Sequence, residues 1–178
     1  MIMENKRIKI QPITKKRLHS LPVMVKNIKI GNQIWSAENY NGIVCPNGDT
    51  LIRGNDYYIF KGNVYYTYDA ALRVVPKGWH IPNSVEWAEL LEKCLYKRDD
   101  FLSVKDGGKD IIGFNTHYTG YIGFASELMY PRRSFRFWIS EECGEGYVKY
   151  IYGQSNQYYI RKSFCSREFA LTIRLIRN

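Results

Sequence analysis

Apolar and polar residues alternate over residues 23–35, with Val25, Ile28 and Ile30 leading into the turn candidate Gly31-Asn32, and this pattern predicts an opening β-hairpin. Residues 40–63 are rich in Gly, Asn, Asp and Pro and read as irregular loop, interrupted by a short strand at residues 57–60. The period then changes. Trp87, Leu90, Leu91, Cys94 and Leu95 stand at i, i+3, i+4, i+7 and i+8, one apolar stripe of a helix. Its start is marked by Pro82 followed by Asn83, with Glu86 three residues on, the signature of a capping box. Gly107-Gly108 and residues 113–123 mark loops and short extended pieces. Beyond them, residues 136–140 read as a strand. Residues 147–152 and 157–164 form a hairpin about the turn 153–156, and residues 171–176 close the sheet. The predicted class is α+β: a twisted antiparallel sheet with one main helix and extensive loops.

At 178 residues the chain has room for one domain with a substantial core, here residues 24–178, preceded by an arm at residues 1–23. The charge is unevenly placed. Lys6, Arg7, Lys9, Lys15, Lys16 and Arg17 face only Glu4 within the first twenty residues, residues 21–126 balance, and the remaining excess lies in residues 127–178. Partners with negative surface are therefore expected at the two ends, and the arm is the expected anchor to a larger assembly. Met1 to Ser20 never reaches the apolar run of a signal peptide, and no stretch is apolar enough to span a membrane. The expectation is synthesis and retention in the cytoplasm, with release by lysis or inside a virion, and no membrane partner.

Three strings stand in fixed order: Val25-Lys-Asn-Ile-Lys-Ile-Gly-Asn-Gln-Ile-Trp35-Ser-Ala-Glu-Asn39, Pro76-Lys-Gly-Trp-His-Ile-Pro-Asn-Ser-Val-Glu-Trp87 and Leu171-Thr-Ile-Arg-Leu-Ile-Arg177. With them the chain resembles the Fibrobacter succinogenes major paralogous domain, a bacterial family related to C-type-lectin-like and formylglycine-generating-enzyme-like folds. The resemblance spans roughly residues 24–178 and implies a C-type-lectin-like architecture. It also aligns residues 64–71 with a short strand and small alanine-bearing helix, and residues 136–140 with the family's Trp-Trp-Ser-Ser segment. The family usually carries one cysteine before Pro-x-Gly-Trp-His and another in the final strand. Here those places hold Val75 and Leu175, which favours folding where disulfides do not form.

Little in the chain points to chemistry. His80 lies in a motif with no accompanying nucleophile, and Cys45, Cys94, Cys143 and Cys165 make no CxxC pair. Cys143 and Cys165 lack the surroundings expected of the copper-binding cysteines of formylglycine-generating enzymes, and fold kinship does not transfer activity. Ile81-Pro82-Asn83 lacks the acid of a lectin calcium triplet, while Glu141, Glu142 and Glu145 read as a solvated loop. No catalytic residue, cofactor or metal is therefore assigned.

The stronger signal is the last hairpin. Tyr147, Tyr150, Tyr152, Tyr158 and Tyr159 surround Gln154, Ser155 and Asn156, with Lys149, Arg161 and Lys162 interleaved. Rigid phenol rings beside adaptable amides and hydroxyls are the composition of paratopes. In the resembled fold the C-terminal part also bears the ligand face of phage-tropism proteins. The opposing reading is cross-strand aromatic pairing in an exposed sheet. The leading expectation is a non-enzymatic recognition or structural module, such as a bacteriophage attachment or decoration protein. It would bind a protein or glycan through Tyr147, Lys149, Tyr150, Tyr152, Gln154, Asn156, Tyr158, Tyr159 and Arg161. A cytoplasmic nucleic-acid-associated protein and a degenerate formylglycine-generating-like enzyme are the alternatives.

Overall fold

Gly31 takes a φ of 60° at the first central position of the opening turn, a conformation glycine adopts without a Cβ clash. It joins β1 (Asn27–Ile30) to β2 (Gln33–Ser36), paired antiparallel from Asn27 opposite Ser36 to Ile30 opposite Gln33. The computed structural model describes residues 24–178, so the basic arm expected to act as an anchor lies outside the described residues. The further elements are β3 (Tyr57–Phe60), β4 (Asn63–Tyr66), α1 (Tyr68–Val74), β5 (Trp79–His80), α2 (Ser84–Glu92), α3 (Arg98–Phe101), β6 (Tyr121–Ile122), β7 (Leu128–Met129), β8 (Ser134–Glu142), β9 (Tyr147–Gln154), β10 (Arg161–Ser166) and β11 (Ile176–Arg177). The class is α+β, with every pairing between these strands antiparallel.

The strand pairing is divided more finely than the single closing sheet expected from the pattern. One sheet has the order β1-β2-β11-β5, another β10-β9-β8, and β3-β4 and β6-β7 form separate hairpins. The last segment does not close the C-terminal hairpin's sheet. Ile176 instead lies between Trp35 and His80 in the first sheet. Residues 170–172 make single bridges to Ile122, Tyr66 and Phe137. Leu171, Ile173 and Leu175 enter one apolar cluster with α1 and Trp138, while Ile176 enters a second with α2. Both sides of this segment are covered, so its six consecutive buried residues show no half-exposed face.

The capping box forms as the sequence predicts. Asn83 Oδ1 accepts from the amides of Val85 (2.8 Å) and Glu86 (2.9 Å), and Glu86 Oε2 accepts from the Asn83 amide at 2.8 Å. Asn83→Ala is expected to lower stability by about 1 kcal/mol, the usual cost of losing an N-cap. Urea unfolding checks this, and an unchanged midpoint would refute the assignment. The far end of the helix departs from the predicted stripe. Leu95 and Tyr96 adopt φ of 50° and 58°, which turns the chain out of the helix and leaves Leu95 66% exposed.

The three strings meet in one nucleus. Trp35 packs on Trp87 with ring centroids 4.7 Å apart, and both pack on Phe114. Gln33 Nε2 donates to the Glu86 carbonyl at 3.1 Å, while Trp35 Nε1 donates to Gln33 Oε1 at 2.9 Å. His80 sits between Asn178 Oδ1 (2.6 Å) and Glu86 Oε1 (2.8 Å), bridging side chains rather than backbone groups. Arg174, in the third string, reaches Asn39 and Ser36 of the first. Val75 and Leu175, at the places where the resemblance leads one to expect cysteines, belong to the same apolar cluster.

Candidate functional site

β9 and β10 pair from Arg161 opposite Tyr152 to Ser166 opposite Tyr147, so the second strand begins four residues later than the sequence suggests. Residues 157–160 leave the hairpin because another segment claims their backbone. The Ile160 amide donates to the Tyr96 carbonyl at 2.8 Å, the Arg98 amide donates to the Tyr158 carbonyl at 2.9 Å, and Lys97 bridges Tyr159. Residues 95–98 thus run antiparallel beside the hairpin tip.

This geometry separates the nine nominated residues. Val148, Tyr150 and Tyr152 point to the first apolar cluster and Ile151 to the second, because both faces of β9 are covered. Tyr150 is buried, a correction to its expected place on a contact face. Its ring and that of Tyr152 face Arg136, whose guanidinium carbon lies 3.5 Å from the Tyr121 ring centroid, 4.9 Å from Tyr150 and 5.9 Å from Tyr152. Arg136 Nη1 also donates to the Tyr150 hydroxyl at 3.2 Å. Three phenol faces around a largely desolvated cation supply on the order of 2 kcal/mol or more. Tyr150 and Tyr152, neighbours on one strand, are thus gathered on Arg136 rather than paired with aromatic rings across an exposed sheet.

Lys149 is also engaged internally. Its ammonium donates to Glu141 Oε2 at 2.7 Å, and Glu141 Oε1 accepts from the Ser84 amide at 2.7 Å, tying the hairpin to the first turn of α2. The hydrogen bond from Lys149 holds the Glu141 carboxyl down to about 2. Gln154 is half-buried, with its carbonyl accepting from Arg98 Nη1 at 2.8 Å. Tyr147 lies at the opposite end of β9 from the tip, edge-on to the exposed Phe164 ring.

The remaining nominated residues do come together. Tyr158 and Tyr159 are 57% and 51% exposed, with their rings perpendicular at 4.7 Å, and Asn156 and Arg161 are exposed beside them. The neighbouring segment adds Leu95 and Lys97, which sequence reasoning missed. The stripe placed Leu95 inside, and neither residue carries a local signal for a contact some sixty positions away. Neither Lys97 nor Arg161 forms an ion pair among the described residues, whereas Lys149, Arg98 and Arg167 all do. The tip is an apolar and aromatic surface with free cations, held on both sides by backbone hydrogen bonds.

The buried thiols stay protonated near neutral pH. Burial pushes Cys94 up to about 11 and Cys165 up to about 12, and raises Cys45 as well. Among the described residues no three His, Cys, Asp or Glu side chains converge as a metal set, and no helix is long and apolar enough to cross a membrane.

The family model described as Fibrobacter succinogenes major domain matches residues 28–177, and the chain belongs to that family. No curated protein and no solved structure matches the chain.

Proposed function

We propose that this member of the Fibrobacter succinogenes major domain family is a non-enzymatic recognition module of C-type-lectin-like fold whose contact face is the β9–β10 tip. The observation that carries this reading is that the exposed Tyr158 and Tyr159 rings share one tip with Lys97 and Arg161, which form no ion pair among the described residues. Tyrosines bring large contact area with few rotatable bonds, and unpaired cations favour a partner surface of negative charge, such as an acidic protein or a sulfated or sialylated glycan. The family strings are occupied in holding the scaffold together, and none of them includes the tip.

The test is binding of wild type, Tyr158→Ala and Arg161→Ala to heparin and to an array of sulfated and sialylated glycans. Each substitution is expected to weaken binding roughly tenfold, as for a residue near the centre of a small contact patch. Binding should also weaken as salt rises from about 0.05 to about 0.3 M, because exposed charges more than a Debye length apart are screened. Equal binding by all three proteins would defeat the assignment. Tighter retention of single-stranded DNA than of any glycan would favour the nucleic-acid alternative.

A further inference from the structure

A second surface has a different chemistry. Between β3, the turn after β6 and residues 167–169 lies a cleft of about 490 Å³, within the range of small-ligand sites. Phe124 stands at its edge, 75% exposed yet fixed in orientation. It meets Phe169 edge-on at 4.7 Å, and Phe169 stacks on Tyr121 at 5.9 Å. The next two residues, Ala125 and Ser126, both adopt φ of 58°, a conformation that side chains with a Cβ rarely take. The Tyr58 hydroxyl meets Ser126 Oγ at 3.0 Å and donates to the Gly54 carbonyl at 3.1 Å, fastening the turn to the opposite wall.

The walls are polar and net acidic. Asp56, Asp69, Glu168 and Arg167 line the cleft, with Asp56 already paired to Arg73 at 2.5 Å, and Asn55 and Thr67 add an amide and a hydroxyl. Asp69 Oδ1 accepts from Arg167 Nη2 at 2.9 Å, which leaves its second oxygen for a ligand. Arg167 Nε is buried with no hydrogen-bond partner.

We infer that this cleft is a saccharide site, taking a neutral or amine-bearing sugar ring against the Phe124 face with its hydroxyls on Asp69, Asn55 and Arg167. A pyranose has one face of C–H bonds and a rim of hydroxyls, which matches one fixed aromatic ring beside carboxylate, amide and guanidinium groups. With Asp56 and Asp69 each in an ion pair, the acidic balance rests on Glu168, which disfavours anionic sugars and phosphates. This ligand class is opposite in charge preference to that of the hairpin tip, so the two sites fail independently.

The test is NMR or calorimetric titration of the full chain with cellotriose, the glucosamine trimer and sialyllactose. The proposal expects both neutral and amine-bearing trisaccharides to bind, the glucosamine trimer more tightly, and sialyllactose, titrated into Tyr158→Ala so that the hairpin tip does not contribute, to bind at least tenfold more weakly. Phe124→Ala should weaken both about tenfold or more, the scale of losing one ring contact. With its ring largely in solvent, the variant should melt as wild type does. Asp69→Asn should selectively reduce the advantage of the glucosamine trimer, and Tyr158→Ala should leave the cellotriose and glucosamine-trimer titrations unchanged. Failure of wild type to bind either cellotriose or the glucosamine trimer would overturn the proposal. So would equal binding by Phe124→Ala, or binding of sialyllactose by Tyr158→Ala as tight as that of cellotriose.

Discussion

Arg174→Met is expected to destabilise the domain by roughly 3 kcal/mol or more, since each buried acceptor left without a donor costs about 1–3 kcal/mol. Arg174 is buried and donates from Nε to Asn39 Oδ1 (3.0 Å), from Nη1 to the Ser36 carbonyl (2.8 Å), and from Nη2 to the carbonyls of Phe114 (3.1 Å) and Asn115 (3.3 Å). Its guanidinium also covers the Phe114 ring at 4.4 Å. Burial lowers its proton affinity, with Glu38 and Asp110 acting in the opposite direction, so removal of the charge returns part of the desolvation cost. The acceptors outnumber that relief. Methionine fills much of the volume and satisfies none of them. Arg174→Lys should fall between the two proteins, because one ammonium cannot reach all four acceptors at once. Denaturant midpoints at an unchanged m-value measure all three, and a methionine variant as stable as wild type would refute this role.

The second large effect is at the Trp35–Trp87 pair, where the two indoles differ in a way that substitution can expose. Trp35→Ala should cost about 3–5 kcal/mol, the usual loss for a fully buried aromatic side chain. The sharper comparison is with phenylalanine. Trp35→Phe removes the donor to Gln33 Oε1 and leaves a buried amide oxygen unsatisfied. Trp87 Nε1 is buried with no partner, so Trp87→Phe removes an unsatisfied donor along with some packing. Trp35→Phe is therefore expected to be the more damaging of the two, by about 1 kcal/mol or more. Equal thermal or urea shifts would show that hydrogen bonding is not what distinguishes these rings.

The elements that could be read from sequence are those whose cause is local. Gly31-Asn32 sets the first turn and Asn83 with Glu86 sets the start of α2, each within a few residues. What escaped is decided by distant contacts. The start of β10 moved to Arg161 because residues 158 and 160 bond to the 96–98 segment. Leu95 reached the surface because the chain leaves the helix at a left-handed residue that no periodicity marks. Tyrosine content signalled the C-terminal hairpin but could not say which rings face outward. In a strand covered on both sides, alternation carries no exposure signal, so Tyr150 and Tyr152 looked no different from Tyr158 and Tyr159. The cleft beside Phe124 was not legible at all, since its walls come from four separated stretches of the chain.

The position of β11 between β2 and β5 has a temporal meaning. Trp35 pairs with Ile176 across most of the domain's sequence, so the first sheet is completed only once that long loop has closed. Until then the indole cluster lacks its Ile176 neighbour. Closing a loop of this length makes the final step slow as well as late.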